Sequence, residues 1–225
     1  MEIFVARTDN EIEHALARIR NADALGCDTE TSGLSAKYGR LFSIQFSDGD
    51  FNVLVPLSEG VSIGTFAEIL ADERIVKIFH NAKFDLDFLR EAGVKVHNVF
   101  DTMIAEKVLT RGANQSASLA ETLYRYFAVD LDKSQRAKFN RKWDGIWTEE
   151  LVNYALSDVV YLPGLMNEQK KWLDRLGLDG GEIEPAPLRQ RSGQRVGEQR
   201  RMPGDVGPGE VDPVEQPVHV VERRD

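Results

Sequence analysis

Four acidic side chains and one tyrosine, drawn from three separated stretches, are the residues through which this sequence could do chemistry. The first pair is Asp28 and Glu30, in CDTETSGL (Cys27–Leu34), at the end of an apolar stretch. Residues two apart on a strand point to one face, so both carboxylates leave the sheet edge together and could hold one cation. An Asp-x-Glu triplet alone is weak, since about one is expected by chance in a chain this long. Its position directly after the small, apolar run Ala24–Cys27 strengthens it. The second stretch is HNAKFDLDFL (His80–Leu89). If a helix begins near Asn81, Asn81 and Asp85 share a face one turn apart. The competing account makes Asn81 an N-cap and Asp85 or Asp87 a solvated first-turn acid suited to the helix dipole, and Asp87 fits that account better. The third is YALSD (Tyr154–Asp158), where tyrosine and aspartate share a helix face and Asp158 is expected in mid-helix. Its plainer reading is a packed tyrosine beside an exposed acid.

These residue types suit phosphodiester hydrolysis. The reaction needs an activated water, a clamp on the scissile phosphate and stabilisation of the leaving oxygen, and two hard cations about 4 Å apart can supply all three. Mg²⁺ and Mn²⁺ take oxygen ligands, so carboxylates without histidine or cysteine form the appropriate set. Asp28 could bridge the two ions, with Glu30 and Asp158 on one and Asp85 on the other. A tyrosine pKa near 10 is too high for an efficient base at neutral pH, which leaves Tyr154 to orient the attacking water by hydrogen bonding.

Strands alternating with helices position these groups. Ile3–Ala6 reads as a strand, and Thr8 with Glu11 forms a capping box opening a helix to about Arg20. Ala24–Thr29 is a buried strand, and Leu41–Phe46 and Phe51–Val55 form a hairpin across Ser47-Asp48-Gly49-Asp50. Gly64–Leu70 is helical, Ile75–Phe79 a strand, Phe84–Ala92 a helix stopped by Gly93, and a short strand falls near Val99. Helices follow at Thr102–Leu109, Ser118–Phe127 and Thr148–Leu176, the last kinked or restarted at Pro163. The expected fold is α/β, a mixed sheet of five to six strands, antiparallel early and parallel later, flanked by helices.

Residues 1–178 fit one domain. The remainder, 179–225, holds most of the prolines, many glycines and no aromatic residue, and reads as a disordered Pro/Gly-rich charged tail, either solvated or docking a partner. No stretch resembles a leader or a membrane span, so a cytoplasmic protein is expected. The single cysteine, Cys27, reads as a small buried residue, and no disulfide is expected. A formal charge of −9 argues against coating a duplex, but not against an end-directed enzyme whose cations invert the local potential. Glycine-rich phosphate-binding signatures are lacking, which sets nucleotide-dependent phosphoryl transfer aside.

The ordered set DTETSGL, HNAKFDLDFL and YALSD resembles the three exonuclease motifs of the DnaQ-like superfamily, in the tyrosine-bearing branch called DEDDy. That branch includes ribonuclease D and the proofreading domain of family A DNA polymerases. The resemblance covers about Ile3 to Leu176. It implies a ribonuclease H-like sheet and a two-metal site of Asp28, Glu30, Asp85 and Asp158 binding Mg²⁺ or Mn²⁺, with Tyr154 positioning water. It further implies that Thr31 and Leu34 touch the terminal nucleotide, Leu34 wedging against the last base, and that Asn81 contacts substrate. His80 could assist, although a satisfied structural histidine is the plainer account. Similarity to ribonuclease D extends through FDTMIAEKVL (Phe100–Leu109) and SLAETLYRYFAVDLDKS (Ser118–Ser134), where Asp101 reads as a helix cap or supporting acid. Lys133 could reach a phosphate or simply be solvated. The basic segment Gln135–Trp147, with Phe139, Trp143 and Trp147 interleaved, reads equally as a single-strand track or as a lid packed by its aromatics.

The expected function is 3′-5′ exonucleolytic hydrolysis at a nucleic-acid 3′ end. Single-stranded or frayed DNA is preferred, in proofreading or repair, with a polymerase or replication partner on the tail. The alternatives are a ribonuclease D-type exoribonuclease acting on structured RNA and a non-catalytic nucleic-acid-binding module of the same fold.

Overall fold

The structure is a computed structural model and describes residues 2–111 and 113–178; the tail expected at 179–225 lies outside the described residues. Strand β1 (Glu2–Val5) leads into helix α1 (Asp9–Ile19) through the capping box, with the Thr8 side chain accepting from the Glu11 N–H. Strands β2 (Ala24–Thr31), β3 (Leu41–Ser47) and β4 (Phe51–Val55) form an antiparallel meander. Helix α2 (Phe66–Ala71), strand β5 (Val76–Phe79), helix α3 (Ala82–Glu91) and strand β6 (Val99–Asp101) follow. Helices α4 (Thr102–Leu109), α5 (Leu119–Phe127), α6 (Glu149–Ser157) and α7 (Leu162–Arg175) complete the described chain.

The sheet has six strands in the order β1-β4-β3-β2-β5-β6. β1 pairs in parallel with β4, and β2, β5 and β6 run parallel to one another. The α/β fold is thus the mixed sheet expected, with one addition: the first strand closes the antiparallel edge rather than lying beside its sequence neighbour. Alternation along the strands separates two apolar layers, with Phe42 switched to the face opposite Ile44 and Phe46 by the register shift between Glu30 and Thr31. Cys27, Ile44, Phe46 and Val53 bury against α1, α2 and α3. Phe42, Leu54 and Ile78 bury against α5, α6 and α7. Within the second layer, Glu106 accepts from Arg125 (3.0 Å) and from Gln169 (3.1 Å), which ties α4, α5 and α7 together.

One local feature differs from expectation, the position of Asp158. The segment read over Thr148–Leu176 restarts at Pro163 as expected, giving two helices, α6 and α7; Pro163 occupies the first turn of α7, where its missing N–H costs nothing, but α6 already ends at Ser157. Asp158 is therefore the C-terminal cap residue of α6 rather than a mid-helix residue. The junction after it lies hard against β2. A Cβ at Gly26 would sit 2.6 Å from the Val159 carbonyl oxygen and 3.1 Å from Leu162 Cβ. Only glycine allows this approach.

Candidate active site

β2 continues two residues further than expected, so Asp28 and Glu30 lie within the strand, opposite Gln45 and Ser43 of β3. Strand alternation places both on the face of Gly26, toward the α6–α7 junction that carries Asp158. Thr29 points to the other face, and its hydroxyl donates to Asp85 Oδ1 of α3 at 2.6 Å. Elements from both layers thus deliver their acids to the same end of the sheet. The four acids and Tyr154 line one cavity of about 590 Å³, together with Thr31, Gly33, Leu34, His80, Asn81, Lys133 and Arg136. All ten residues singled out in the sequence as site candidates are on its walls.

α3 starts in an unusual way. Asn81 has a left-handed backbone (φ 69°), and its side chain makes no cap, so the plain N-cap account of Asn81 does not hold. The cap comes from Asp101, whose carboxylate accepts from the Asn81 N–H (3.0 Å) and the Ala82 N–H (2.9 Å). The same carboxylate accepts from Met103 N–H at 2.9 Å and Ile104 N–H at 3.3 Å, capping α4. Asp101 holds two helix starts and leaves the exposed Asn81 amide free of capping duty.

Burial and mutual repulsion dominate the electrostatics. Burial first, then the charges of Asp85, Asp158 and Glu30, push the Asp28 carboxyl well above the usual range. Glu30 is pushed up to about 8 by burial and then by Asp158. Asp85 rises to about 7 through burial, opposed by the Thr29 hydrogen bond. Tyr154 is raised by burial and by Asp158 and Glu30, so it remains a phenol that donates hydrogen bonds. Its ring stacks on Phe139, centroids 5.9 Å apart.

Two residues have partners that the sequence did not disclose. Lys133 Nζ donates to Asp158 Oδ1 at 2.7 Å. His80 is buried enough to lower its pKa, and both ring nitrogens have partners: Nε2 lies 2.9 Å from the Ala117 carbonyl oxygen, and Nδ1 lies 2.9 Å from the hydroxyl of Thr102, which itself donates to the Phe79 carbonyl at 3.1 Å. Both ring nitrogens of His80 are engaged within the protein, which fits the plainer account of a satisfied structural histidine better than a contact to substrate. Thr31 donates to the Gly33 carbonyl (3.0 Å), while Leu34 is 87% exposed at the cavity mouth, an orientation suited to a wedge. Phe84, Met103 and Leu119 also line the cavity and give it an apolar flank for a base or sugar. All three fall inside the quoted motif stretches, but as apolar helix residues they carried no chemical signal of their own.

All four acids offer oxygen, with no cysteine ligand and a histidine whose nitrogens are engaged, which suits Mg²⁺ or Mn²⁺. A concentrated, mutually repelling set of carboxylates also favours cation binding. Among the described residues, no three His, Cys, Asp or Glu side chains already form a metal cage. Thr29 holds one oxygen of Asp85 and Lys133 holds one of Asp158, which leaves the second oxygen of each free of those two contacts. Among the described residues no helix is long and apolar enough to cross a membrane.

A mixed sheet with four acids and a tyrosine gathered at one end defines the nuclease class suggested by the motifs. The 3′-5′ exonuclease family matches residues 3–174, and the chain belongs to this family. It is similar to ribonuclease D of Bartonella henselae, 32% identical over 177 residues, covering 78% of this chain and 42% of that protein. It is also similar to DNA polymerase I of Aquifex aeolicus, 28% identical over 183 residues, covering 81% of this chain and 30% of the polymerase. The chain therefore spans less than half the length of these two relatives. Among solved structures, Brucella melitensis NrnC aligns with a TM-score of 0.65 at 30% identity, covering 79% of this chain and 85% of NrnC. Structures of NrnC with bound Mg²⁺ and bound to pGG align similarly, at TM-scores of 0.63 and 0.65.

Proposed function

We propose that this chain hydrolyses the terminal phosphodiester at the 3′ end of a nucleic-acid strand, releasing nucleoside 5′-monophosphates one at a time, with RNA as its principal substrate. The observation that supports it is the single cavity in which Asp28, Glu30, Asp85 and Asp158 face Tyr154. Divalent cations, when bound by these four acids, supply charge neutralisation at the scissile phosphate and lower the pKa of the attacking water. Tyr154 donates a hydrogen bond that orients this water, and Leu34 holds the terminal base away from the stack. Asn81 and Thr31 contact the last nucleotide, and Lys133, on leaving Asp158, turns to the phosphate.

RNA replaces the DNA preference expected from the sequence because the similarity to ribonuclease D favours it. DNA remains the second reading, favoured by the likeness to DNA polymerase I. Residues 1–178 are proposed as the catalytic domain, and 179–225 as an appended tail that could dock a polymerase or replication partner. The test is digestion of matched 5′-labelled RNA and DNA strands with Mg²⁺ or Mn²⁺. A ladder of shortened products is expected, faster on RNA and abolished in Asp28→Ala. A missing ladder, or one unchanged in that variant, overturns the proposal.

A further inference from the structure

The formal charge of the chain is −9, yet Lys133 to Lys142 carries five cations (Lys133, Arg136, Lys138, Arg141, Lys142) and no acid. This island sits at the cavity. Lys133 and Arg136 line it, while Lys138 and Lys142 line a shallow groove of about 460 Å³ on the same segment. Arg40, from the loop between β2 and β3, joins the island by donating to the Arg141 carbonyl at 3.3 Å. The aromatic residues that could have supplied base stacking are spent elsewhere. Phe139 and Trp147 are buried, and both bring their rings about 5 Å from Trp143, whose ring in turn meets Phe42 at 4.8 Å. Packed rings fix the backbone of the segment and leave its exposed cations pointing to solvent. Among the described residues, none of Arg136, Lys138, Arg141 or Lys142 makes an ion pair.

We infer that Arg136, Lys138, Arg141 and Lys142 form a phosphate track for the strand lying 5′ of the scissile bond, so that the protein favours strands longer than a dinucleotide. The inference rests on the proposed exonuclease reading and deepens it. Contacts of this kind carry affinity without sequence preference, and each phosphate neutralised steepens the salt dependence of binding. In an otherwise acidic molecule, an isolated positive strip at the cavity mouth also steers the chain end inward.

Binding and hydrolysis are read separately. In EDTA, anisotropy of a fluorescein-labelled single strand about twelve nucleotides long reports the track alone. The exposed triple variant Lys138→Glu, Arg141→Glu, Lys142→Glu is expected to weaken binding of RNA and DNA strands alike by tenfold or more. It should also flatten the slope of log affinity against log salt by about 2, at ~0.7 per lost phosphate contact. The remote triple Lys95→Glu, Lys107→Glu, Lys171→Glu makes the same charge change and is expected to have at most a small effect. In Mg²⁺, kcat/KM of the track variant should fall at least tenfold further on the long strand than on a dinucleotide. Equal losses from the two triple variants, or unchanged binding of the long strand, overturn the track. A track that binds in a protein that does not hydrolyse instead removes the exonuclease reading.

Discussion

Lys133 Nζ lies 2.7 Å from Asp158 Oδ1, so a cation of the protein itself already holds the acid contributed by the α6–α7 junction. A divalent ion that uses Asp158 competes with this ammonium for the carboxylate charge. Lys133→Met is therefore expected to bind Mn²⁺ about threefold or more tightly, the scale of a partly exposed ion pair. Titration followed by electron paramagnetic resonance measures it, and weaker Mn²⁺ binding would show that Lys133 supports the site instead of competing for it.

Like charges crowd the cavity at a cost to the fold that function retains. Asp28→Asn and Glu30→Gln remove a repelling acid while leaving size unchanged. Hydrolysis is expected to fall at least a hundredfold, as for loss of a metal ligand. The melting temperature of the metal-free protein is expected to hold or rise. Calorimetry in EDTA beside the hydrolysis assay checks both, and a large drop in melting temperature would contradict the repulsion argument.

The raised carboxyl pKa values fix the sign of a pH effect on the metal-free protein. Glu30 near 8 and Asp85 near 7 bind protons in the folded state that they release when unfolded, where their values are ordinary. Their contribution to stability is full below the ordinary carboxylate range and is lost as pH rises through about 7 to 8. In EDTA the melting temperature is expected to fall between about pH 5 and pH 9, and Mg²⁺ to flatten the profile. A metal-free melting temperature that rises across this range would be incompatible with the burial of these acids.

Tyr154→Phe keeps the ring that stacks on Phe139 and removes only the hydroxyl. Loss of a water-orienting hydrogen bond predicts a fall of roughly ten- to a hundredfold in kcat with little change in KM. Steady-state kinetics on a single strand decide it, and a change confined to KM would place the hydroxyl on the substrate.

Asp101 accepts four backbone N–H groups from two helix starts. Asp101→Ala is expected to cost about 2 kcal/mol of stability, the upper end for a lost cap, and to lower hydrolysis by releasing Asn81 from its left-handed conformation. Denaturant unfolding gives the first quantity. An unchanged midpoint would mean that water replaces the carboxylate at both caps.

The site was legible in the sequence wherever a chemical type met a regular spacing. Asp28 and Glu30 could be placed on one face because a strand repeats every two residues, and that face proved to be the one toward Asp158. The order of the strands was not legible, since nothing in β1 announces that its partner is β4 rather than β2. Asp158 was misplaced in mid-helix because the break was expected at Pro163, while the helical pattern running up to it hid that α6 already ends at Ser157. The grip of Asp101 on α3 was hidden for a related reason. Asn81 looked like a cap by residue type, and a cap supplied from twenty residues away leaves no local signature. Lys133 had two equal readings, a phosphate contact or a solvated side chain, and neither foresaw its ion pair with Asp158.

Gly26 carries no group that reacts, yet its single hydrogen atom sets the clearance between the strand bearing Asp28 and the helix junction bearing Asp158. A methyl group there would prise the junction outward, widening the gap between the two acids proposed to hold cations while leaving most of the hydrophobic layers whole. Fold and catalysis can thus fail independently at this position: such a protein would still melt cooperatively and yet have lost its grip.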